Sequence, residues 1–387
     1  MKPSFNFDQV IDRRTTESEK WQFYGPDVLP LWIADMDFAA PPAVIQALMA
    51  RVAHGVFGYP CELPEIHQAI VDWCAERYQW HITPDDIILI PGVITGFNLA
   101  AHAVAAPDGA ILYQTPAYPP FLCVAENANI KEQVVELSRA EDGSYYVDET
   151  KFTESISSNS RMFLLCNPQN PTGRVFEKNE LEKMAEICLR NNLIICSDEI
   201  HGDLIYSGHH HIPIASLDKE IAQNTITLFA PSKTFNIAGL EASIAVIQNP
   251  DLRQRFRQSG KGLLGWVNLM GLTAMLAAYR EGKPWLEALL HYLEDNRDYL
   301  YEYIQNELPE IKMVKPQGTY LAWLDCRHAG LKQNPHKFFL QKAHVALNDG
   351  EKFGPGGSGF VRLNFGCPRV ILQEALERMK NALREIR

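Results

Sequence analysis

The sequence predicts an α/β protein: a large domain with a mainly parallel sheet flanked by helices, plus a smaller α+β domain formed by both chain ends. Two observations carry this. From about residue 85 to about residue 250, short apolar β-type runs alternate with helical patterns, as in strands joined by crossover helices. Past about residue 285 the alternation stops, and one long amphipathic segment precedes short strands and a Gly-rich loop. The expected limits are residues 1–45 for the amino-terminal segment of the small domain, 46–284 for the large domain and 285–387 for the carboxy-terminal part.

Taken in order, the strands of the large domain are Ile87–Ile90, Ala110–Tyr113, Met162–Cys166, Leu193–Cys196, Ile226–Ala230 and Ser243–Ile247. Each is a short, nearly unbroken apolar run, the pattern of a strand covered on both faces. Between the third and fourth, Leu181, Met184, Ala185, Ile187 and Cys188 recur at helical spacing. The small domain reads as a long helix (Trp285–Asn306), strands at Ile311–Lys315 and Tyr320–Leu324, and a helix over Pro335–Leu347. A Gly-rich loop, a strand at Phe360–Phe365 and a final helix complete it.

Composition narrows the function. A chain of 387 residues with 46% hydrophobic content can bury a substantial core, and a net charge of -11 argues against nucleic acid or an anionic membrane surface as partner. Met1–Lys20 is polar with no apolar signal-like region, and the longest apolar stretch, Phe97–Ala106, is interrupted by Asn98 and His102 and too short to span a bilayer. A soluble cytoplasmic protein is expected. The eight cysteines form no C-x-x-C pair, so buried free thiols are expected rather than disulfides or zinc. His209-His210-His211 is flanked by Gly and Ser and reads as an exposed turn, because adjacent side chains rarely point at one ion; no metal is expected.

The chemistry sits at strand ends. Lys233 follows the run Ile226–Ala230, where desolvating an amine is costly and lowers its pKa; the cost makes sense for a nucleophile that forms a Schiff base. Asn167-Pro168-Gln169-Asn170-Pro171-Thr172-Gly173 is a tight, non-helical turn that holds an Asn amide rigidly. Asp198, with Glu199-Ile200-His201 behind it, ends another strand, where open α/β sheets bind ligands. Pro91-Gly92-Val93-Ile94-Thr95-Gly96 leads from a strand into a helix whose free N–H groups can hold an anion, without the spacing of a nucleotide loop. Each feature alone has a plainer reading: a surface lysine, an ordinary Asn-Pro turn, a helix cap, a strand–helix connection. Their joint occurrence in this order is the signal.

Together these segments resemble the fold-type I pyridoxal-phosphate enzymes, the aspartate aminotransferase superfamily, over nearly the whole chain. Trp32-Ile33-Ala34-Asp35-Met36-Asp37-Phe38 and the Ser232–Leu240 run resemble more narrowly its cystathionine β-lyase or C–S lyase branch, the MalY/PatB type. The resemblance implies pyridoxal 5'-phosphate as cofactor, carried by Lys233, with Asp198 keeping the ring nitrogen protonated and Asn170 bonding the phenolic oxygen. It implies Tyr118 stacked on the ring and able to shuttle a proton, Val93 and Ile94 N–H groups and the Ser232 hydroxyl on the phosphate, and Arg362 clamping a substrate α-carboxylate. Tyr59 resembles a tyrosine that reaches a neighbouring chain's phosphate, which implies a homodimer with a shared site. Asp35 is expected on the substrate side. Two departures stand out: Ala230 replaces a common hydroxyl three residues before the lysine, and His201 stands where many aminotransferases have Tyr.

The implied activity is a C–S β-lyase acting on an amino acid, with cystathionine the leading substrate and homocysteine, pyruvate and ammonia the products. An aminotransferase using the same residues is the alternative, and a regulatory protein that retains the cofactor is a third.

Overall fold

The computed structural model describes residues 5–386, so residues 1–4 and 387 of the expected terminal segments lie outside the described residues. Seven strands form the large sheet: β1 (Ile87–Ile90), β2 (Ala110–Thr115), β3 (Lys131–Glu136), β4 (Ser160–Cys166), β5 (Ile194–Asp198), β6 (Thr225–Phe229) and β7 (Ser243–Val246). Their order across the sheet is β1-β7-β6-β5-β4-β2-β3. Strands β3, β2, β4, β5 and β6 pair in parallel, while β7 runs antiparallel to both β6 and β1. Six of the seven match the apolar runs expected from sequence. The seventh, β3, escaped that reading because it is an edge strand whose Lys131, Glu132 and Glu136 are exposed.

Alternation along the strands divides the core into two layers. Met162 and Leu164 of β4 pack with Phe97, Ile226 and Leu228, whereas Phe163 and Leu165 pack with Leu181, Met184 and Ile195. The helix Val93–Val104 covers the first face and Lys178–Arg190 the second, burying all five of its expected apolar residues. Contact with the first helix is close: a Cβ at Gly96 would lie 2.7 Å from Ile90 Cδ1 and 2.9 Å from Leu228 Cδ2. Glycine lets this helix settle onto β1 and β6, and so fixes where its amino-terminal end meets the sheet edge.

The carboxy-terminal part holds the long helix Lys283–Glu307 and an antiparallel sheet in the order Lys312–Met313, Leu321–Asp325, Phe360–Asn364, Asn348–Asp349. The strand expected over Ile311–Lys315 is only two residues long. The helix expected over Pro335–Leu347 also needs correction. It is one α-turn, Pro335–Phe338, continued as a wider π-type turn over Phe339–Ala343, and it stops at His344 with φ 53°. Val345–Ala346 then pairs in parallel with Leu29–Pro30, so these buried residues serve a strand.

That pairing ties the amino-terminal segment to the carboxy-terminal part, and a buried charge cluster reinforces it. Asp37, 3% exposed, accepts from Lys20 Nζ at 2.7 Å, Trp21 Nε1 at 2.8 Å and Arg13 Nη1 at 2.7 Å. Three donors on one carboxylate offset the cost of its desolvation. No described helix is long and apolar enough to cross a membrane. All eight cysteines are free; Cys61 and Cys123 are exposed, Cys166 is half-buried and the other five are buried.

Gly96→Ala should cost about 1–3 kcal/mol, the usual price of overpacking a core contact. Denaturant unfolding measures it, and an unchanged midpoint would mean that Ile90 and Leu228 give way freely.

Candidate active site

Strands β1, β2, β4, β5 and β6 run in the same direction, so their carboxyl ends meet at one edge of the sheet. Each delivers one piece of a cavity of about 380 Å³. From β1 comes the start of helix Val93–Val104, from β2 Tyr118, from β4 Asn170, from β5 Asp198 and from β6 the short helix Pro231–Thr234 with Lys233. This is the crevice at which open α/β sheets bind ligands.

Lys233 donates from Nζ to the carbonyl of Ala34 at 2.6 Å. Burial lowers its pKa from 10.5 to about 8; Asp35 opposes the shift, Arg362 adds to it and Asp198 opposes it. Asp198, 3% exposed, is raised from 3.8 to about 7 by burial, although Oδ1 accepts the Ile200 N–H at 3.1 Å. The opposed shifts leave an amine that sheds its proton readily beside a carboxyl that holds one readily. His201 is pushed down to about 3 by burial and by the cations Lys233 and Arg362, and its buried Nδ1 has no hydrogen-bond partner among the described residues.

Asn170 Oδ1 accepts from Arg362 Nη1 at 2.9 Å, which leaves the amide's own donors for the cavity. Arg362 also donates from Nη2 to the Trp32 carbonyl at 2.8 Å, while its buried Nε has no hydrogen-bond partner among the described residues. Its strand neighbour Asn364 lies on the same face and donates to the carbonyls of Ile33 and Asp35 at 2.7 and 2.6 Å. Burial lowers the Arg362 pKa to about 10 and raises that of Tyr118. Gly96 N makes the first helical bond, to Gly92 O at 2.9 Å, so the N–H groups of Val93, Ile94 and Thr95 precede it and are free for an anion. The Ser232 side chain lines the same cavity.

The structure thus brings Lys233, Asp198, Asn170, His201, Tyr118, Ser232, Val93 and Ile94 around one cavity, with Arg362 joined through Asn170. Two residues stand apart. The Asp35 carboxylate is held by Arg13 Nη2 at 2.7 Å, behind Ala34. Tyr59 is 88% exposed, with its ring 5.1 Å from that of Trp266. A further expectation is corrected: only His210 of the histidine triplet is exposed, and His211 is buried with Nε2 2.9 Å from Glu199 Oε2. The buried Glu199 carboxylate needs that partner.

Sequence reasoning missed several groups. Asn236 pins the lysine segment to the 36–38 segment, accepting from Met36 N at 3.0 Å and donating to the carbonyls of Met36 and Phe38 at 2.9 and 2.7 Å. Tyr320 donates to the Ala34 carbonyl at 2.9 Å. Arg13 and Lys20 show no motif; their only signal is a cluster of charges beside Trp21.

The chain matches the model of the aminotransferase class I and II family over residues 26–379. It is 40% identical to the cystathionine β-lyase PatB of Bacillus subtilis, over 98% of this chain and 100% of that protein. It is 35% identical to the protein MalY of Escherichia coli, over 99% and 100%. The crystal structure of cystalysin from Treponema denticola, which contains pyridoxal 5'-phosphate, superposes with a TM-score of 0.96 at 35% identity, covering 100% of both chains. The chain belongs to the aminotransferase class I and II family, in its PatB/MalY branch. Its cavity fits the cofactor of that fold-type I family: a helix end for a phosphate, an acid for a basic ring nitrogen, an amide donor for a phenolic oxygen and a weakly basic lysine for an aldehyde.

A carboxyl that titrates near 7 folded and near 3.8 unfolded binds more protons in the folded state between those values, so it lowers stability as pH rises through that window. In cofactor-free protein, Asp198→Asn should therefore gain stability over the wild type as pH rises from 5 to 7, then hold a constant lead up to 8, approaching ~4 kcal/mol. Thermal unfolding against pH checks this; a constant difference from pH 5 would mean an ordinary carboxylate.

Proposed function

We propose that this chain is a pyridoxal-phosphate-dependent C–S β-lyase that converts S-substituted cysteines, cystathionine foremost, to a thiol, pyruvate and ammonia. The observation that carries the reading is the opposed pair Lys233 and Asp198 on one cavity, in a chain similar along its full length to a cystathionine β-lyase. When bound, the cofactor supplies a reactive carbonyl and a ring that accepts electrons. The chain's residues do the rest. The N–H groups of Val93 and Ile94 and the Ser232 hydroxyl hold the phosphate. Asp198 keeps the ring nitrogen's proton, the Asn170 amide bonds the phenolic oxygen, and neutral His201 completes that wall.

Lys233 has two tasks, which its lowered pKa serves. At a pKa of about 8 a minor but far larger share of its amine than usual is unprotonated near neutral pH, so it would serve both as the group that bonds the cofactor's carbonyl and, when free, as the general base for the Cα proton. The Tyr118 ring, on the cavity lining, would pack against the bound cofactor, and its hydroxyl, kept protonated by its raised pKa, would be a donor there. Arg362 binds the α-carboxylate through its planar fork, already oriented by Asn170 and Trp32 O. Asp35, locked by Arg13, places a negative charge that opposes the fall in the Lys233 pKa.

The proposal includes a homodimer with a shared site. Ile45, Met49, Val52 and Val56 form an exposed apolar stripe on and just beyond helix Pro42–His54, extended by Phe57, Tyr59, Leu263 and Trp266. A patch of this kind is the mark of a protein partner, and a second copy would bring Tyr59 to the phosphate of the first. It also includes the division at residues 45 and 284, supported by the pairing of Leu29–Pro30 with Val345–Ala346.

The test is continuous formation of pyruvate, ammonia and homocysteine from cystathionine with no keto acid added. Lys233→Ala should abolish it, and borohydride should trap the cofactor on the Lys233 peptide of the wild type. A single burst that resumes only when a keto acid is supplied would replace the lyase with an aminotransferase. Arg362→Lys keeps the charge but loses the fork, so amino-acid binding should weaken by ~1.5–3 kcal/mol. Ligands without the α-carboxylate should bind as before; equal losses for both would refute the clamp.

A further inference from the structure

We propose that Asp203 is a positioning residue that fixes Lys233 through Thr234. It lies on the turn after β5, is 4% exposed and is absent from the lining of the cavity. Its carboxylate nevertheless gathers donors from two distant parts of the chain. Oδ1 accepts from Tyr78 OH at 2.6 Å and Trp73 Nε1 at 3.1 Å, with Arg77 Nε at 3.5 Å. Oδ2 accepts from Thr234 Oγ1 at 2.8 Å. The first three belong to helix Pro64–Tyr78, and the fourth is the residue next to Lys233.

The lysine needs an external tie. Helix Pro231–Thr234 has four residues, starts on a proline and has no side-chain cap, so its own hydrogen bonds cannot hold its direction. It is fixed from outside at two points. Asn236 grips the backbone of Met36 and Phe38, close to Ala34, whose carbonyl accepts from the lysine. Asp203 grips Thr234, the residue that follows the lysine. The Thr234 side chain is fully buried, with Asp203 as its one hydrogen-bond partner among the described residues. In turn, the Asp203 carboxylate is immobilised by three donors on a 15-residue helix. The chain of contacts is therefore rigid from Pro64–Tyr78 to the lysine, and it acts by geometry, since Asp203 does not touch the reacting atoms. A lysine that must first bond the carbonyl and then meet a Cα proton is sensitive to small shifts of its backbone.

The inference rests on Lys233 as the cofactor lysine, and the experiment separates the two claims. Wild type, D203N, T234V, T234S and the D203N/T234V double variant are stripped of cofactor and mixed with pyridoxal phosphate. The rate of borohydride-trappable attachment to the Lys233 peptide is followed, together with melting temperature, kcat and KM. T234V and D203N should slow attachment and lower kcat by about tenfold to a hundredfold, the scale of a small misplacement, with KM within about twofold. T234S retains the hydroxyl and should follow the wild type, and the double variant should be no slower than the slower single one. Variants that melt lower yet attach and turn over at wild-type rates, or whose losses simply add, would overturn the positioning role. If D203N does not fold, T234V against T234S decides alone. A wild type with no adduct on Lys233 would overturn the cofactor reading as well.

Discussion

Taking an amine and a carboxyl out of water at one edge of a sheet is the constraint to which the rest of this structure answers. The fall of Lys233 from 10.5 to about 8 corresponds to on the order of 3 kcal/mol of lost ammonium solvation, and the rise of Asp198 from 3.8 to about 7 to on the order of 4. Against a typical domain stability of about 5–15 kcal/mol, these are large costs. They are sustained because both groups hang from strands buried on both faces: Ile226 and Leu228 before the lysine, Ile195 and Cys196 before the acid, each with no exposed surface. The packing of the large sheet and the chemistry of its edge are one arrangement, in which the core supplies the stability that the site gives up.

The second wall comes from the amino-terminal segment, whose backbone does more than its side chains. The Ala34 carbonyl accepts from both Lys233 and Tyr320, those of Ile33 and Asp35 accept from Asn364, and that of Trp32 accepts from Arg362. Four consecutive carbonyls thus face donors from the lysine turn and from the carboxy-terminal strands. A segment used this way must not slide, and the three-donor grip on Asp37, with Arg13 on Asp35, prevents it. This also explains why Asp35 is bound to a cation: its carboxylate anchors the segment while its charge acts on Lys233.

What could be read in the sequence follows from the range of the interactions involved. Strands covered on both faces are continuous apolar runs, and the groups that end them stand at marked positions, so the segments of Lys233, Asp198 and Asn170 were legible taken together, although each alone had a plainer reading. Edge strand β3 was not, since half of its surface faces water and its residues are mostly polar. The helix over Pro335–Leu347 was overextended because the pairing of Val345 with Leu29, more than 300 residues away, leaves no local mark. For the same reason Arg13, Lys20 and Asn236 could be given no role from sequence: each matters only through a partner that folding brings near. His211 was misplaced because a histidine at the end of a polar run looks exposed until the buried Glu199 that needs it is known.

His201 shows how the surroundings assign a role that residue type alone leaves open. A histidine beside a cofactor invites the reading of a proton shuttle, since its ordinary pKa lies near neutrality. Here burial disfavours the imidazolium, and the two nearby cations, Lys233 and Arg362, disfavour it further, to a pKa of about 3. Both effects favour the neutral ring at neutral pH. What remains is a neutral ring whose buried Nδ1 has no hydrogen-bond partner among the described residues, set edge-on to Tyr320 at 5.8 Å. The titrating work falls to Lys233 and Asp198, whose shifts bring them toward neutrality from opposite sides. The neutrality of His201 spares Lys233 a second positive neighbour, beside Arg362, that would lower its pKa further.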